Sequence, residues 1–381
     1  MAGSLTLKYR LRLHRPKVPN TGIGNGFYKS MLWHNECHGD LFHLVEYCAM
    51  PIALIVYAIL VLTMVSLPLV RSDYWVFRSM EYPRLQKWVL VGIGIIACLV
   101  WGDSSSWLFW AGLGAFALSF SFLSYQIYPY LPLAKREVLE DSASDEAKQG
   151  QRLSLMIANV YQPNRKAERV LDLAEKLSPD VVLLLETNDW WKTQLQPLEE
   201  TYPYTVLVPM ENTYGMLLYS KIKLEDAQVH YLIEPDVPSI ECLMLLNSGH
   251  KVHFFGVHPR PPAPSESVTS TEKDRELLIV AERAQASQQP VIVAGDLNDV
   301  AWSYTTELFQ KMSRLLDPRK GRGFFNTFPV KWPVMRFPLD HIFCSRHFKL
   351  RQLRRLKSIG SDHFPVFIAF QLYHEIVQPE K

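Results

Sequence analysis

Disulfide chemistry has little to build on in this chain. Its 381 residues include five cysteines, Cys37, Cys48, Cys98, Cys242 and Cys344, scattered without paired spacing, which argues against a disulfide framework and against a cysteine-type zinc site. An excess of charge of one sign is also missing. The formal net charge of +2 exerts no general pull on a polyanion, so any electrostatic footprint has to come from local clusters. No internal repeat is evident. A cleaved signal peptide is not expected either, because the first apolar run begins near residue 50 and further runs follow it. What the chain does have is apolar mass: 48% hydrophobic residues, over a length that accommodates one large domain or two ordinary ones.

That mass is unevenly placed. Residues 51–70 carry no charge and are long enough to cross a bilayer as one helix; residues 88–102 form a second uncharged stretch, and residues 104–134 a third beyond Asp103. The middle stretch is short for a full span. It reaches the required length if Lys87 snorkels to the interface, or it forms a helical hairpin with the third stretch across Asp103. The expected organisation is an N-terminal tail (1–49), an all-α transmembrane region (50–134) with about three helices, a linker (135–151) and a catalytic domain (152–381). The flanking charges disagree about orientation. Lys8, Arg10, Arg12, Arg15 and Lys17 in the tail favour the cytoplasm, and so do Arg71, Arg78, Arg84 and Lys87 in the first loop. With the tail inside, three spans place the C-terminal domain on the extracytoplasmic face, which is the orientation expected here. Ahead of the first span, His34, Glu36, Cys37, His38, Asp40 and His43 form a cluster whose spacing fits no standard transition-metal site, so an amphipathic interfacial segment is expected there.

The stretch 135–151, with its acidic run from Glu140 to Glu146, has little to bury and reads as the linker. Beyond it a strand-like run to Asn159, a helix over 166–177 with apolar Val170, Leu171, Ala174 and Leu177, and a buried strand over 180–186 set an α/β rhythm. Residues 242–246 and 251–257 flank Asn247-Ser248-Gly249-His250 as a hairpin, which makes the sheet mixed. A helix over 271–285 leads into a strand at 291–294, and further strands are expected at 340–344 and 364–370.

Polar residues stand at the ends of these apolar runs, where strand termini present side chains to a shared cleft: Asn159, Glu186, His258, Asp296, Asn298, Asp340, Asp362 and His363. Phosphodiester hydrolysis needs an activated water, a cation to neutralise phosphoryl charge, and a group to stabilise the leaving oxygen. Carboxylates, amides and imidazoles meet all three needs. Glu186 emerges alone from a buried strand, as a hard oxygen ligand for Mg²⁺ would, although acidic capping of a helix explains it equally well. Asp296 and Asn298, two apart after Gly295, point to one side of an extended turn, with an ordinary Asx turn as the bland alternative. His258 enters the proline-rich segment 259–264 directly past a strand, a position that suits an acid or phosphate donor. An aspartate bonded to His363 across the cleft fixes its tautomer and raises its basicity.

In this order, Asn159, Glu186, His258, Asp296 with Asn298, Asp340, and Asp362 with His363, the chain resembles the endonuclease/exonuclease/phosphatase family over about residues 153–370; Gly295-Asp296-Leu297-Asn298 and Ser361-Asp362-His363 are the most specific matches. The resemblance implies an α/β fold, a four-layer α-β-β-α sandwich of two mixed sheets. It implies Asn159, Glu186 and Asp362 on the metal side, with Mg²⁺ as cofactor and Mn²⁺ as the alternative. It gives Asp296 and Asn298 the handling of water and phosphate, makes Asp340 the orienter of His363, and puts His258 on the leaving-group side. Glu211 is the candidate second glutamate to orient His258. The spans are similar to those of bacterial membrane-bound members, which points to the inner membrane.

Two substrate classes follow. A nucleic acid would use the basic run Arg346, His347, Lys349, Arg351, Arg354, Arg355 and Lys357, for which a solvated edge strand is the plainer explanation. A phospholipid headgroup would use the proximity of the lipid bilayer. The non-catalytic alternative is a silent membrane-tethered module that binds phosphate or nucleic acid.

Overall fold

The computed structural model describes residues 52–141, 151–263 and 266–373. The N-terminal tail, with its His34 to His43 cluster, and residues 142–150 of the expected linker lie outside the described residues.

Three helical segments are long and apolar enough to cross a membrane: Ile52–Leu69 (α1), Arg84–Trp101 (α3) and Trp107–Tyr130, whose regular part is α4 (Trp107–Ile127). A short helix α2, Trp75–Ser79, lies between α1 and α3. Helices α3 and α4 form a hairpin. Ser106 caps α4 by accepting the Leu108 N–H, and Gly94 lets the ring of Phe116 lie against α3, where a Cβ would meet that ring at 2.6 Å. Outward-facing Ile96, Leu99 and Leu118 are exposed, an arrangement that hydrocarbon contact favours and water does not. Of the two alternatives for the middle stretch, the hairpin is the one formed, and Lys87 does not snorkel. Helix α3 starts at Arg84 rather than Trp88, so Lys87 turns inward, and its buried Nζ donates to the carbonyls of Met80 at 2.7 Å and Met64 at 3.3 Å.

The remainder folds as two mixed sheets with helices outside. The first sheet runs β10-β11-β1-β2-β4-β3, built from β1 (Arg152–Asn159), β2 (Val181–Leu185), β3 (Tyr204–Val208), β4 (Met216–Ser220), β10 (Phe348–Arg355) and β11 (Val366–Leu372). The second runs β5-β6-β7-β8-β9, built from β5 (Lys223–His230), β6 (Ser239–Leu245), β7 (Lys251–Val257), β8 (Val291–Asp296) and β9 (Asp340–Cys344). Each sheet contains one parallel pair. Helix α5 (Ala167–Leu177) connects β1 to β2, and α7 (Thr271–Ala286) connects β7 to β8; parallel neighbours require such crossovers.

Strand β2 shows why central strands read as unbroken apolar runs. Leu183 and Leu185 enter the core between the sheets with Ile292 and Phe254, whereas Val182 and Leu184 pack beneath α5 and α6 (Asp189–Gln194) with Val170, Ala174 and Trp191. On the other outer face Val293 and Phe255 pack against α7 and α8 (Tyr304–Ser313). Burying both faces of both sheets produces the four-layer α-β-β-α sandwich.

The start of the expected linker belongs to this sandwich. Val138 is fully buried in the core between the sheets, Leu139 O accepts the Leu350 N–H at 2.8 Å, and Glu137 accepts the Asp317 N–H at 2.7 Å. Average polarity over a window hides a single apolar plug.

Helix α7 carries a buried carboxyl with no catalytic context. Burial, with the charge of Glu234 adding, pushes Glu276 up to about 8, and its Oε1 has no hydrogen-bond partner. A carboxyl whose folded pKa is raised contributes nothing below its unfolded pKa near 4.3 and destabilises progressively as pH rises towards 8, because the unfolded chain releases the proton first. Glu276→Gln should therefore leave the thermal midpoint of the full chain unchanged near pH 4 and raise it at pH 8, with the gap opening between those values. Equal midpoints of wild type and variant at pH 8 would contradict this account.

Candidate active site

The parallel pairs bring their C-terminal ends to one edge of the sandwich, the usual location of a cleft in α/β sheets. Asn159 ends β1, Glu186 follows β2, His258 follows β7 and Asp296 ends β8. The antiparallel strands complete the set from the other direction, since Asp340 opens β9 directly opposite Asp296, and Asp362 and His363 precede β11.

Hydrogen bonds join these residues. Asn159 Nδ2 donates to Glu186 Oε1 at 2.7 Å and to Asp296 Oδ2 at 3.1 Å, while its Oδ1 accepts the Tyr161 N–H at 3.0 Å. His363 Nδ1 lies 2.8 Å from Asp340 Oδ2, and its Nε2 lies 3.5 Å from Asp296 Oδ2. Asp340 is further fixed by Thr327, whose Oγ1 accepts its N–H at 3.3 Å, and the ring of Phe328 packs on His363 at 4.7 Å. Asp296 Oδ1 accepts the Asn298 N–H at 2.9 Å, and Asn298 Nδ2 donates to Pro259 O at 3.0 Å. The Asx turn is thus real, and it also aims a carboxylate into the cleft. Gly295 is required for that turn: its φ is +152°, and a Cβ would fall 1.8 Å from Val257 O. Glu186 at φ +58° and Asn298 at φ +49° are left-handed, a conformation that asparagine tolerates and glutamate rarely adopts, at a cost of about 1–3 kcal/mol.

Electrostatics follow from burying two carboxylates and an imidazole together. For His363, burial works against the charged form but is outweighed by Asp340 and Asp296, so its pKa rises to about 10. For Asp296, burial and then the nearby Asp340 charge outweigh His363 and push it up to about 7. Asp340 goes the other way, since the His363 charge and hydrogen bond overcome the cost of burial and hold it low. Glu186 is raised, mainly by burial, with the charge of Asp362 adding to the shift. His258 is lowered to about 3 by burial and by the positive charge of His363, so it is a neutral imidazole near pH 7. Its Nδ1 is buried without a partner, and the ring of Tyr214 lies 5.4 Å away. Glu211 does not orient it: that carboxylate accepts from Asn188 Nδ2 at 3.0 Å, because the turn before Tyr214 directs it towards α6.

Two donor sets are available to a divalent cation. Ligand atoms of Asp296, Asp340 and His363 lie within 4.8 Å of one another, but there the imidazolium already balances the carboxylates. Glu186 accepts from the neutral Asn159 amide and feels the charges of both His363 and Asp362, and it is a hard oxygen donor of the kind Mg²⁺ favours.

The family model for the endonuclease/exonuclease/phosphatase family matches residues 156–363, more than half of the sequence and the whole of this constellation. The chain belongs to that family. Endonuclease/exonuclease/phosphatase proteins are metal-dependent phosphodiesterases and nucleases. Similar solved structures include zebrafish (D. rerio) TDP2 complexed with a single-strand DNA product, at 17% identity and TM-score 0.47, covering 58% of this chain and 99% of that one. The human Nocturnin catalytic domain with bound sulfate matches at 18% identity and TM-score 0.45, covering 58% and 95% respectively. An endonuclease/exonuclease/phosphatase from Beutenbergia cavernae matches at 17% and 0.45, covering 58% and 72%. No curated protein matches this chain.

One set of site residues has no counterpart among the motifs read from the sequence. The loop carrying Asp296 and Asn298 is held from the segment that leads into α3. Tyr82 OH donates to Asn298 O at 2.8 Å, Trp302 Nε1 donates to Glu81 O at 3.0 Å, and Arg84 Nη2 donates to Trp302 O at 2.8 Å. A buried charge chain reinforces this clasp, running from Glu81 to Arg78, Asp274, Lys273 and Asp299. Arg319, locked to Asp317, supports the other side by donating to His341 at 2.7 Å, and His341 in turn contacts Asp299 O at 2.8 Å. In the sequence, Arg78 and Arg84 counted only as charges flanking a span. Removing one such hydrogen bond costs about 1 kcal/mol, or roughly fivefold in rate if it is felt in the transition state. Tyr82→Phe should lower kcat on an aryl phosphodiester by about that factor while leaving KM nearly unchanged and lowering the thermal midpoint by about 2–4 °C at most. An unaltered kcat would show that the clasp does not reach the chemistry.

Proposed function

We propose that this protein is a membrane-anchored, Mg²⁺-dependent phosphodiester hydrolase acting at the bilayer surface. The observation that carries the reading is the buried Asp296–His363–Asp340 cluster set against Glu186 and Asn159. Glu186, Asn159 and Asp362 would hold the metal, which when bound supplies charge neutralisation at the phosphoryl oxygens. Asp340 keeps the His363 tautomer fixed, so that Nε2 faces the cleft with its proton held between imidazole and Asp296. Asp296, raised towards neutrality, is suited to taking a proton from water, and Asn298, anchored by its own side chain, positions the turn that presents it. His258, neutral and buried, serves the leaving-group side as a hydrogen-bonding group rather than as a stored proton.

A lipid phosphodiester is favoured as substrate over a nucleic acid. Tyr82, bonded to the catalytic loop, stands two residues before the first residue of a candidate span. Gln86, inside that span, donates to Val334 O, and the adjoining Trp332 and Val334 are 69% and 79% exposed on a loop whose Val330 N–H bonds to Asp362 O. An apolar rim beside the cleft and level with the start of a span suits the interface. The basic run offers a nucleic acid less than its composition suggests, since Arg351 pairs with Asp141 and Arg355 donates to Asn326 O while covering Phe364. With three spans, the domain sits opposite the N-terminal tail, and we place it on the extracytoplasmic face of a bacterial inner membrane.

The test uses the full chain in lipid nanodiscs with Mg²⁺ or EDTA, supplied with a phospholipid, sphingomyelin, a DNA strand, an RNA strand or an aryl phosphodiester. Turnover should require Mg²⁺, favour a lipid, and fall by about 10²–10⁴ in Asp296→Ala and His363→Ala. A folded protein that neither turns over nor binds Mg²⁺ would instead be the silent binding module, and preferred cleavage of DNA or RNA would replace the lipid assignment.

A further inference from the structure

A second cavity lies away from the catalytic cleft, where the C-terminal end of the third candidate span meets α7 and α8. Its volume is about 1210 Å³. One wall comes from the last turns of the span and is aromatic: Phe122, Tyr125 and Tyr128, the two tyrosines 79% and 53% exposed. The facing wall comes from the sandwich and carries Lys311, Arg314 and Arg346 with one carboxylate, Glu307, beyond the Glu137 that Lys320 engages, so cations predominate. Among the described residues none of these three cations has an ion-pair partner, whereas nearby Lys320 is engaged by Glu137 at 3.3 Å. Arg346 also borders an adjoining hollow of about 300 Å³ lined by Lys135 and by Arg136, which is paired with Glu140.

The two walls differ in the solvent they are made for. Tyrosines at the end of an apolar helix belong to the headgroup level of a bilayer, and unpaired arginines just beyond them face the water side. A ligand that satisfies both has an anionic head and an apolar tail. A free phosphate would leave the aromatic wall unused, and an uncharged lipid would leave the cations unpaired. We propose that this cavity binds an anionic phospholipid, with its headgroup among Lys311, Arg314 and Arg346 and its chains along Tyr125 and Phe122. Cation clusters at this depth are suited to such headgroups. Trp302 lines the same cavity and follows the catalytic loop by a few residues, so an occupied site would also steady the clasp around Asn298.

The inference rests on the membrane part of the proposed function and not on catalysis, so binding is the quantity to measure. Phosphatidylglycerol, phosphatidylcholine and inorganic phosphate are titrated separately into the full chain in neutral detergent, with thermal midpoint and native mass spectrometry as readouts. The expected result is a retained phosphatidylglycerol, a midpoint raised by several degrees with that lipid alone, and an affinity about tenfold weaker in Arg314→Gln/Arg346→Gln but unchanged in Arg354→Gln. Affinity in the wild type should also fall as NaCl rises, which tests the charge argument even if the double variant folds poorly. Equal stabilisation by phosphatidylcholine or by inorganic phosphate, or a double variant that binds like wild type, would overturn the assignment. A protein that stays monodisperse without detergent would instead overturn the membrane reading itself.

Discussion

The site depends on one electrostatic compromise. Asp296 and Asp340 sit opposite one another across β8 and β9, both buried, where two like charges cannot coexist in low dielectric. His363 resolves the conflict by lying between them, tightly bonded to one and loosely to the other. The asymmetry of those two contacts separates the carboxylates into one held as an anion and one raised to about 7. The surrounding structure maintains that asymmetry: Thr327 and Phe328 fix the His363 side, and Asn159 and the turn at Asn298 fix the Asp296 side.

The same constraint explains why the loop carrying Asp296 and Asn298 is clasped from outside the sandwich. A strand end that buries a carboxylate in a strained left-handed turn has few backbone partners of its own, and the stretch after Asn298 is anchored instead by Tyr82, Glu81 and Arg84 and by the Lys273–Asp299 pair. Buried ion pairs contribute little net stability compared with apolar contacts, yet breaking one strands the remaining charge at a cost of about 3–5 kcal/mol. Such a network is therefore well suited to fixing a geometry, and here the geometry it fixes is that of the loop.

Much of this architecture was legible in the sequence because the signals were local. Unbroken apolar runs such as 181–185 reveal strands buried on both faces, and polar residues just beyond them mark the cleft edge. The order of Asn159, Glu186, His258, Asp296, Asp340 and His363 then located one shared site. What stayed hidden was non-local or sterically subtle. Tyr82 and Arg84 are separated from their partners by more than 200 residues and look like an ordinary membrane flank. Val138 is one apolar residue in a polar stretch, and the partner of Glu211 was set by the path of a turn. The basic run from Arg346 to Lys357, for which a solvated edge strand was the plainer explanation, supplies the edge strand β10, and two of its arginines are already committed to Asp141 and Asn326.

Val138 carries a consequence for motion. Plugged into the core only a few residues after the third candidate span ends, and joined by the separate contacts of Arg78, Tyr82, Arg84 and Gln86, it leaves the sandwich attached to its helices at several points. Several attachments remove the swivel that a single flexible tether would permit. On the proposal of a membrane-anchored lipid phosphodiesterase, the cleft would keep a constant tilt and height, and the protein would meet its substrate by lateral diffusion in two dimensions. Its rate would follow the mole fraction of substrate in the surface rather than its bulk concentration, so diluting the lipid with inert neighbours would slow it while diluting the whole suspension would not.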